Sequence, residues 1–419
     1  MPMTTEVRST SRLDSVLKRL RPIFENIAAG AVRREQDHTL PHAEVRQLVD
    51  AGFAALRVPT EYGGAGLSIP ELAEVLVELA AADSNLPQIF RGHIAFVEDR
   101  LTAPVGHDRD RWLRRFAAGE IVGNAWSEVG QGALGVSQTT LDHNASGWTV
   151  NGRKFYTTGS IYADWIDVTA RRSDGIDGTA LVRASQPGVV VSDDWDGFGQ
   201  QLTGTGTTTF TQATVDGENV FAFADRFRYQ TALYQLVLLA VHAGIARAAE
   251  RDTARDVHNR QRVYSHGSAS LVREDPQIQA IVGEISSVAF VAHATVQRVA
   301  DAIQRAYETS AQRGSADDDA ANIAAEIASA QGQVVLSTLV PEATTRVFDT
   351  LGASAVSRAK GLDRHWRNAR TVASHNPWIY KAKIVGDWTI NQTPPPFIWE
   401  IGVRAPLTDA SVSTQGAPQ

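Results

Sequence analysis

Apolar residues recur at helical spacing through most of the first 118 positions. From Leu13 to about Val58 the pattern is helical, and "LPHAEVRQLVDAGFAAL" predicts an amphipathic helix that stops near Gly52. Pro70 opens a strong helix with Leu72, Val75, Leu76 and Leu79 at i, i+3, i+4 and i+7. A further helical stretch surrounds His93 and runs to about Gly119. Between them lies the glycine-rich "VPTEYGGAG", residues 58–66. No strand precedes it, so a connector fits better than a phosphate-binding loop.

The period changes at Gly119. From there to about Ala222 the chain carries short alternating runs rich in Gly, Thr, Val and Asp. Asn151-Gly152 between Trp148-Thr149-Val150 and Arg153-Lys154-Phe155-Tyr156 predicts a hairpin. "TALVRA", "GVVVSDDW" and "TGTTTF" predict further strands, and the threonines from Thr203 to Thr211 favour strand over helix. After about Arg228 long helices return, with apolar stripes at Leu236, Leu239, Ala240 and Ala243, at Ile278, Ile281, Val282 and Ile285, and at Ile323, Ile327, Ala330 and Val334. Ser310 to Asp319 reads as the turn between two antiparallel helices. The expected division is an N-terminal helical domain over 1–118, a central β domain over 119–228, a C-terminal helical bundle over 229–403 and a loose polar tail over 404–419, with the first ten residues also loose.

Composition narrows the chemistry. With 419 residues and 43% apolar content the chain can bury a large core. A net charge of -7 argues against nonspecific nucleic-acid binding. The absence of cysteine excludes disulfides, thiolate metal sites and cysteine nucleophiles, and fits a reducing cytoplasm. The basic N-terminus lacks an apolar core behind it, so no signal peptide is expected, and no uninterrupted apolar run of about 18 residues predicts a membrane span. His38 and His42 share a helical spacing, but Pro41 between them spoils a common metal-facing surface. One stretch stands out against the negative balance: "RHWRNARTVASHNP", residues 364–377, gathers Arg364, His365, Arg367 and Arg370 around Trp366 and ends in His375-Asn376-Pro377.

Helices, then a β domain, then a bundle is an uncommon order. With "VPTEYGGAGL", "GNAWSEVGQG", "GWTVNGRKFYTTGS", "DDWDGFGQQLTGTGTTTF" and "DRHWRNARTVASHNP" in sequence, the chain resembles the acyl-CoA dehydrogenase superfamily over nearly its whole length. Within it, the chain is similar to the flavin-dependent monooxygenase branch typified by dibenzothiophene monooxygenase. The resemblance implies an α+β, acyl-CoA dehydrogenase-like fold with a small central β-barrel and a C-terminal four-helix bundle.

It also implies site residues. Asn124 and Ser127 supply neutral donors and acceptors for a flavin ring, and Trp126 a flat wall. Thr158 falls where the monooxygenases keep a small hydroxyl residue near the flavin's reactive edge, and Trp195 where a ring packs beside it. A polar strand edge, a strand end and a β-domain core ring are the respective structural alternatives. Arg262 falls at the position of an arginine, early in the long bundle helices, that reaches the flavin phosphate of a neighbouring subunit, which suits its planar fork. Gly352, Ala353 and Ser354 resemble the turn that approaches the cofactor from a partner chain, so a homotetramer, a dimer of dimers, is expected. His375 matches the monooxygenase histidine that holds and protonates a flavin C4a-hydroperoxide, and His93 a second pocket histidine. Phe90, Ile94, Trp126, Trp378 and Tyr380 are candidates for the substrate wall.

The branch is decided by what is missing. A dehydrogenase of this family needs a carboxylate base, whose positions fall here near Asn376 and near Tyr234-Gln235. An amide or a phenol does not replace it. The expectation is therefore the oxygenase component of a two-component monooxygenase, using FMNH2 or FADH2 with O2 on an apolar sulfur, nitrogen or aromatic-carbon substrate. A separate NAD(P)H-flavin reductase would supply the flavin, since no nicotinamide fingerprint is present. An acyl-CoA dehydrogenase or oxidase and a non-catalytic flavin-binding relative are the alternatives.

Overall fold

The computed structural model describes residues 11–130, 136–145 and 147–398, so the expectations for the first ten residues and for the 404–419 tail lie outside the described residues. Helix α1 (Arg12–Gln36) starts at a Ser11 capping box with Asp14, and α2 (His42–Asp50) follows Pro41. The amphipathic helix expected to stop near Gly52 is α2, separated from α1 by the turn at residues 37–41. His38 at φ 48 and Gly52 at φ 84 turn the chain, and Phe53–Ala55 form only a short 3-10 turn. Helix α3 (Ile69–Ala82) is capped by Ser68 and Glu71, and α4 (Asn85–Ile89), α5 (Arg91–Thr102) and α6 (His107–Ala117) complete the first segment. The residues of α5 from Arg91 to Leu101 are all buried, which gives it little amphipathic signature.

The central segment supplies β1 (Val122–Ala125), β2 (Thr140–Asn144), β3 (Gly147–Lys154), β4 (Trp165–Arg172), β5 (Asp177–Arg183), β6 (Val189–Val191), β7 (Thr208–Val215) and β8 (Val220–Ala222). Hydrogen bonds run in the order β6-β7-β3-β2-β4-β5-β8, with β1 parallel to β4. No ladder joins β6 to β8 among the described residues, so the expected barrel is an open sheet path. The predicted hairpin at Asn151-Gly152 is also corrected. Strand β3 runs straight through it and pairs with β7, and the register shift between Val150 and Gly152 marks a bulge. Gly152, at φ 148, comes so close to Thr139 that a Cβ would lie 2.5 Å from its hydroxyl. The true β2–β3 connection falls between Asn144 and Gly147.

The threonine run divides. Thr208 onward is strand, but Thr203 to Thr207 form a loop broken by Gly204 at φ 60. Strand propensity loses there because hydroxyl–hydroxyl and hydroxyl–backbone bonds replace the ladder.

Helices α7 (Gln230–Asn259), α8 (Pro276–Thr309) and α9 (Ala316–Arg346) form the C-terminal bundle, completed by the shorter α10 (Asp363–Ala373) and α11 (Ile379–Asn391) against α9. By length and composition alone the three long helices could cross a membrane. Polar and charged residues interrupt these apolar stretches, so no uninterrupted run marks them in the sequence. Helix α7 buries 89% of its apolar window inside the protein, whereas α8 buries 17%.

Candidate functional site

Strand β1 delivers Asn124 and then the chain leaves the ladder at Trp126 and Ser127, both half-buried. Trp126 is fixed from three sides. Its indole N–H donates to Asp167 at 3.3 Å, the Arg226 guanidinium lies 4.6 Å over its ring, and Tyr234 and Phe223 meet it edge-on. Asp167 and Arg226 themselves form a buried ion pair at 3.0 Å. The Ser127 carbonyl accepts from the Phe155 N–H at 2.9 Å, tying this segment to the end of β3.

Two residues beyond Ser127's partner, the backbone turns at Thr157 to Ser160. Gly159 takes φ 81 and packs so tightly that a Cβ would lie 2.2 Å from the Ile89 carbonyl oxygen. Ser160 donates to the Asn124 carbonyl at 3.2 Å, so the Thr158 turn adjoins Asn124 directly. The hydroxyls of Thr158 and Thr205 are 2.7 Å apart, as are those of Thr205 and Thr203, and the Thr203 hydroxyl donates to the Gln200 carbonyl at 2.8 Å.

The 192–207 loop then joins this turn to α10. The Gln200 N–H donates to Asn368 Oδ1 at 2.6 Å, Arg367 donates to the Phe198 carbonyl at 3.0 Å, and the Phe198 ring stacks on Trp366. Gly199 passes so close to α10 that a Cβ would sit 2.3 Å from the Arg367 carbonyl oxygen. Trp195 donates its indole N–H to the Gly199 carbonyl at 3.0 Å and meets Tyr156 edge-on.

The basic stretch is consumed internally. Arg364 and His365 both bond Asp252, at 2.6 and 3.0 Å, and Arg367 pairs with Glu35 and Asp363. Burial alone would raise the Asp252 carboxyl, but hydrogen bonds and charge from His365 and Arg364 hold it well below the carboxylate range. Arg364 and Arg367 fix α10 on α7 and α1; their charge is already answered. At the end of α10 the chain turns, and His375 stands there with open surface. The protein crowded around this turn strips part of the ring's hydration although it keeps open surface, and with the Arg91 charge this holds its pKa below the ordinary imidazole value, so the ring is neutral near pH 7.

His93 is not a pocket histidine. Its Nε2–H donates to the Ala54 carbonyl at 2.7 Å and its Nδ1 accepts from the Val122 N–H at 3.3 Å, which satisfies both ring nitrogens with backbone. Burial lowers its pKa to about 4. Phe90 and Ile94 likewise belong to the core, Phe90 packing on Phe53, whereas Trp378 is half-buried and Tyr380 exposed. Arg262 lies on the exposed loop after α7 and not on a long helix. Arg260 bonds both the Arg262 carbonyl and Ser354 Oγ, which keeps this loop beside Gly352 (φ 60) and Ala353. No hydrogen bond of the described residues links that cluster to Asn124 or His375.

The residues missed by sequence are Arg91, Tyr234 as a pocket group, Gln88 and Glu128. Among the described residues, Asn124 Oδ1, Arg91 Nε, Tyr234 Oη and Gln88 Oε1 are buried without a hydrogen-bond partner. A charge inside the otherwise apolar "FRGHIAF" was the available signal. Unpartnered polar atoms beside Trp126 and the Thr158 hydroxyl suit a flat heteroaromatic ring bearing both donors and acceptors, so the site fits a flavin. Asn124, Ser127 and Thr158 would hold its polar edge and Trp126 and Trp195 its faces.

Glu128 organises the approach to β2. Its carboxylate accepts from Lys154 Nζ at 2.7 Å, the Gln138 N–H at 2.7 Å, the Thr139 N–H at 3.0 Å and the Ser137 hydroxyl at 2.8 Å. Burial works upward on its pKa, yet the Lys154 and backbone bonds draw it down to about 2 from 4.5. A depressed carboxyl lends stability above the unfolded value and loses it as pH falls from about 4.5 to about 2. The E128Q variant is expected to unfold ~1–3 kcal/mol more easily than wild type at pH 7. Urea unfolding should show that difference narrowing toward pH 3.

Comparison with known proteins assigns the class. Acyl-CoA dehydrogenase domain models match in order: N-terminal over 15–120, middle over 124–213 and C-terminal over 236–378. The chain belongs to the acyl-CoA dehydrogenase family. Within it, the chain is 28% identical to dibenzothiophene monooxygenase of Mycolicibacterium goodii, covering 93% of this chain and 97% of that one. The crystal structure of TdsC from Paenibacillus sp. A11-2 with FMN and indole superposes with a TM-score of 0.82 at 28% identity, covering 91% and 98% of the two chains. Methanesulfinate monooxygenase MsuC of Pseudomonas fluorescens gives a TM-score of 0.82 at 25% identity, with coverage of 91% and 98%.

Proposed function

We propose that this protein is the oxygenase component of a two-component flavin-dependent monooxygenase, using reduced flavin, as FMNH2, and O2 to oxygenate an organic substrate with an apolar or aromatic body. The observation that carries the reading is the junction of Asn124 and Thr158 with α10 through the 192–207 loop, α10 leading into His375, with Asn376 and Tyr234 where a dehydrogenase would need a carboxylate. FMN in the similar TdsC structure supports the choice over FADH2.

Bound reduced flavin would supply the electrons that activate O2. The chain's own residues do the rest. Asn124 and Thr158 orient the ring by hydrogen bonds, and Trp126, locked by Asp167 and Arg226, gives a wall that excludes water. His375, neutral near pH 7, holds one N–H proton and one lone pair at the site, enough to donate to an oxygen atom and to accept from water or substrate. A separate NAD(P)H-flavin reductase delivers the reduced flavin, and the cytoplasm is the expected compartment. A homotetramer is supported by apolar side chains left in the open on α8 and α11, where Phe290 is 77%, Ile379 62% and Ile390 79% exposed. In that assembly Arg262 and the Gly352-Ala353 turn would meet a neighbour's flavin.

The test supplies a generic flavin reductase, FMN and indole under 18O2. One 18O atom in the product is expected. Oxygen consumed only to hydrogen peroxide, across sulfide, amine and indole substrates, would refute the oxygenase reading. Anaerobic bleaching of tightly bound FAD by an acyl-CoA would favour a dehydrogenase instead.

A further inference from the structure

Arg91 stands at the start of α5, 6% exposed, and no carboxylate among the described residues pairs with it. Among the described residues it lies face-on to the Tyr234 ring, with the guanidinium carbon 4.9 Å from the centroid, and makes no hydrogen bond. That leaves the N–H edge of the fork undirected, and Nε is buried with no acceptor. The other buried arginines contrast with it. Arg57 has Glu98, Arg226 has Asp167, and Arg34 has Asp83.

The surroundings point one way. Next to Arg91, Gly92 packs against Asn124, a Cβ there lying 2.9 Å from Oδ1. Tyr234, also unpartnered at its hydroxyl, touches Trp126 at 5.5 Å. Burial raises the Tyr234 pKa to about 12, so it remains a donor at neutral pH. The same Arg91 charge reaches His375, and no carboxylate acts on either group. Two donors and one full positive charge therefore border the flavin-side residues, and among the described residues no acceptor meets the Tyr234 hydroxyl or Arg91 Nε and no carboxylate pairs with Arg91. A buried, unpaired cation is costly unless a ligand completes it.

We propose that Arg91, with the Tyr234 hydroxyl, is the specificity-determining pair for a carboxylate-class oxyanion carried on the apolar or aromatic body of the substrate. The inference rests on the monooxygenase reading of this site and names its substrate class. Arg91 suits the task because a planar fork donates two parallel hydrogen bonds to two oxygens. The competing source of the same chemistry is the ring of the reduced flavin, which the test must separate.

The experiment uses the full chain. FMN titration of wild type comes first and tests the flavin reading alone. Binding of indole and of indole-3-carboxylate is then measured by calorimetry, with FMN bound if it binds and without it otherwise. Wild type should prefer the carboxylate by about 10- to 100-fold, and R91M and R91Q should reduce that ratio to about one. R91K should keep part of it, and Y234F a larger part. With no ligand present, R91M should unfold at a higher temperature than wild type, because it removes an unanswered buried charge. Equal affinity of wild type for both probes overturns the proposal. So does loss of reduced-FMN affinity in R91M with the probe ratio unmoved, which would assign the guanidinium to the flavin.

Discussion

Alanine at position 375 is expected to lower oxygenated product by on the order of 10²- to 10³-fold, the loss typical of removing one positioned donor. The imidazole stands at the end of α10 with open surface, at a turn that Arg370 braces through Ser374 Oγ at 2.7 Å. Because the protein crowded around the turn and the Arg91 charge keep the ring neutral, its contribution is a fixed N–H rather than a proton released near pH 6.5. Two results follow. H375Q, which also presents an N–H, should recover part of the lost rate. The wild-type rate should show no imidazole titration between pH 6 and 7, since the folded value lies below that window. Product assays with reductase and FMN check the first, and a pH profile the second. Full turnover by H375A would remove His375 from the site.

E98A is expected to cost ~3–5 kcal/mol of stability, because it strands a buried cation. Glu98 is fully buried and accepts a forked pair from Arg57, at 3.0 and 2.9 Å, and a further bond from the Tyr229 hydroxyl at 2.8 Å. Arg57 also donates to the Leu67 carbonyl and lies 4.7 Å over the Tyr307 ring. The Glu98–Arg57 pair thus ties α5, the segment before α3, the start of α7 and the end of α8. Urea unfolding should show a lower midpoint for E98A. The double variant R57M/E98L should lose less than E98A alone, since no charge is left unpaired. An E98A midpoint equal to wild type would contradict the account.

The long helices and the order of segments were legible because period and composition change sharply at Gly119 and Arg228. Asn151-Gly152 misled because the dipeptide that favours a tight turn also serves a bulge, and only the partner strand β7 decides between them. For His93, a histidine among apolar residues carries no mark of whether backbone groups will meet both nitrogens. Arg91 was passed over for the opposite reason. A single charge on a helix suggests a solvated face, and its isolation from the carboxylates of the described residues exists only once α5, β1 and α7 are packed. Asn124, Trp126, Ser127 and Thr158 came from the family resemblance, and the Ser160–Asn124 bond shows that they share one neighbourhood.

The 192–207 loop has a consequence for engineering. It is held at one end by Thr158 and Thr157 and at the other by Arg367 and Asn368, with Gly199 leaving no clearance against α10. A transplanted α10 from a relative would therefore arrive with the wrong counterpart for this loop. Chimeras that exchange residues 192–207 together with 363–378 should retain soluble expression, whereas those that exchange either segment alone inherit a mismatched seam beside the site. The two segments, more than 150 positions apart in the chain, form a single heritable unit.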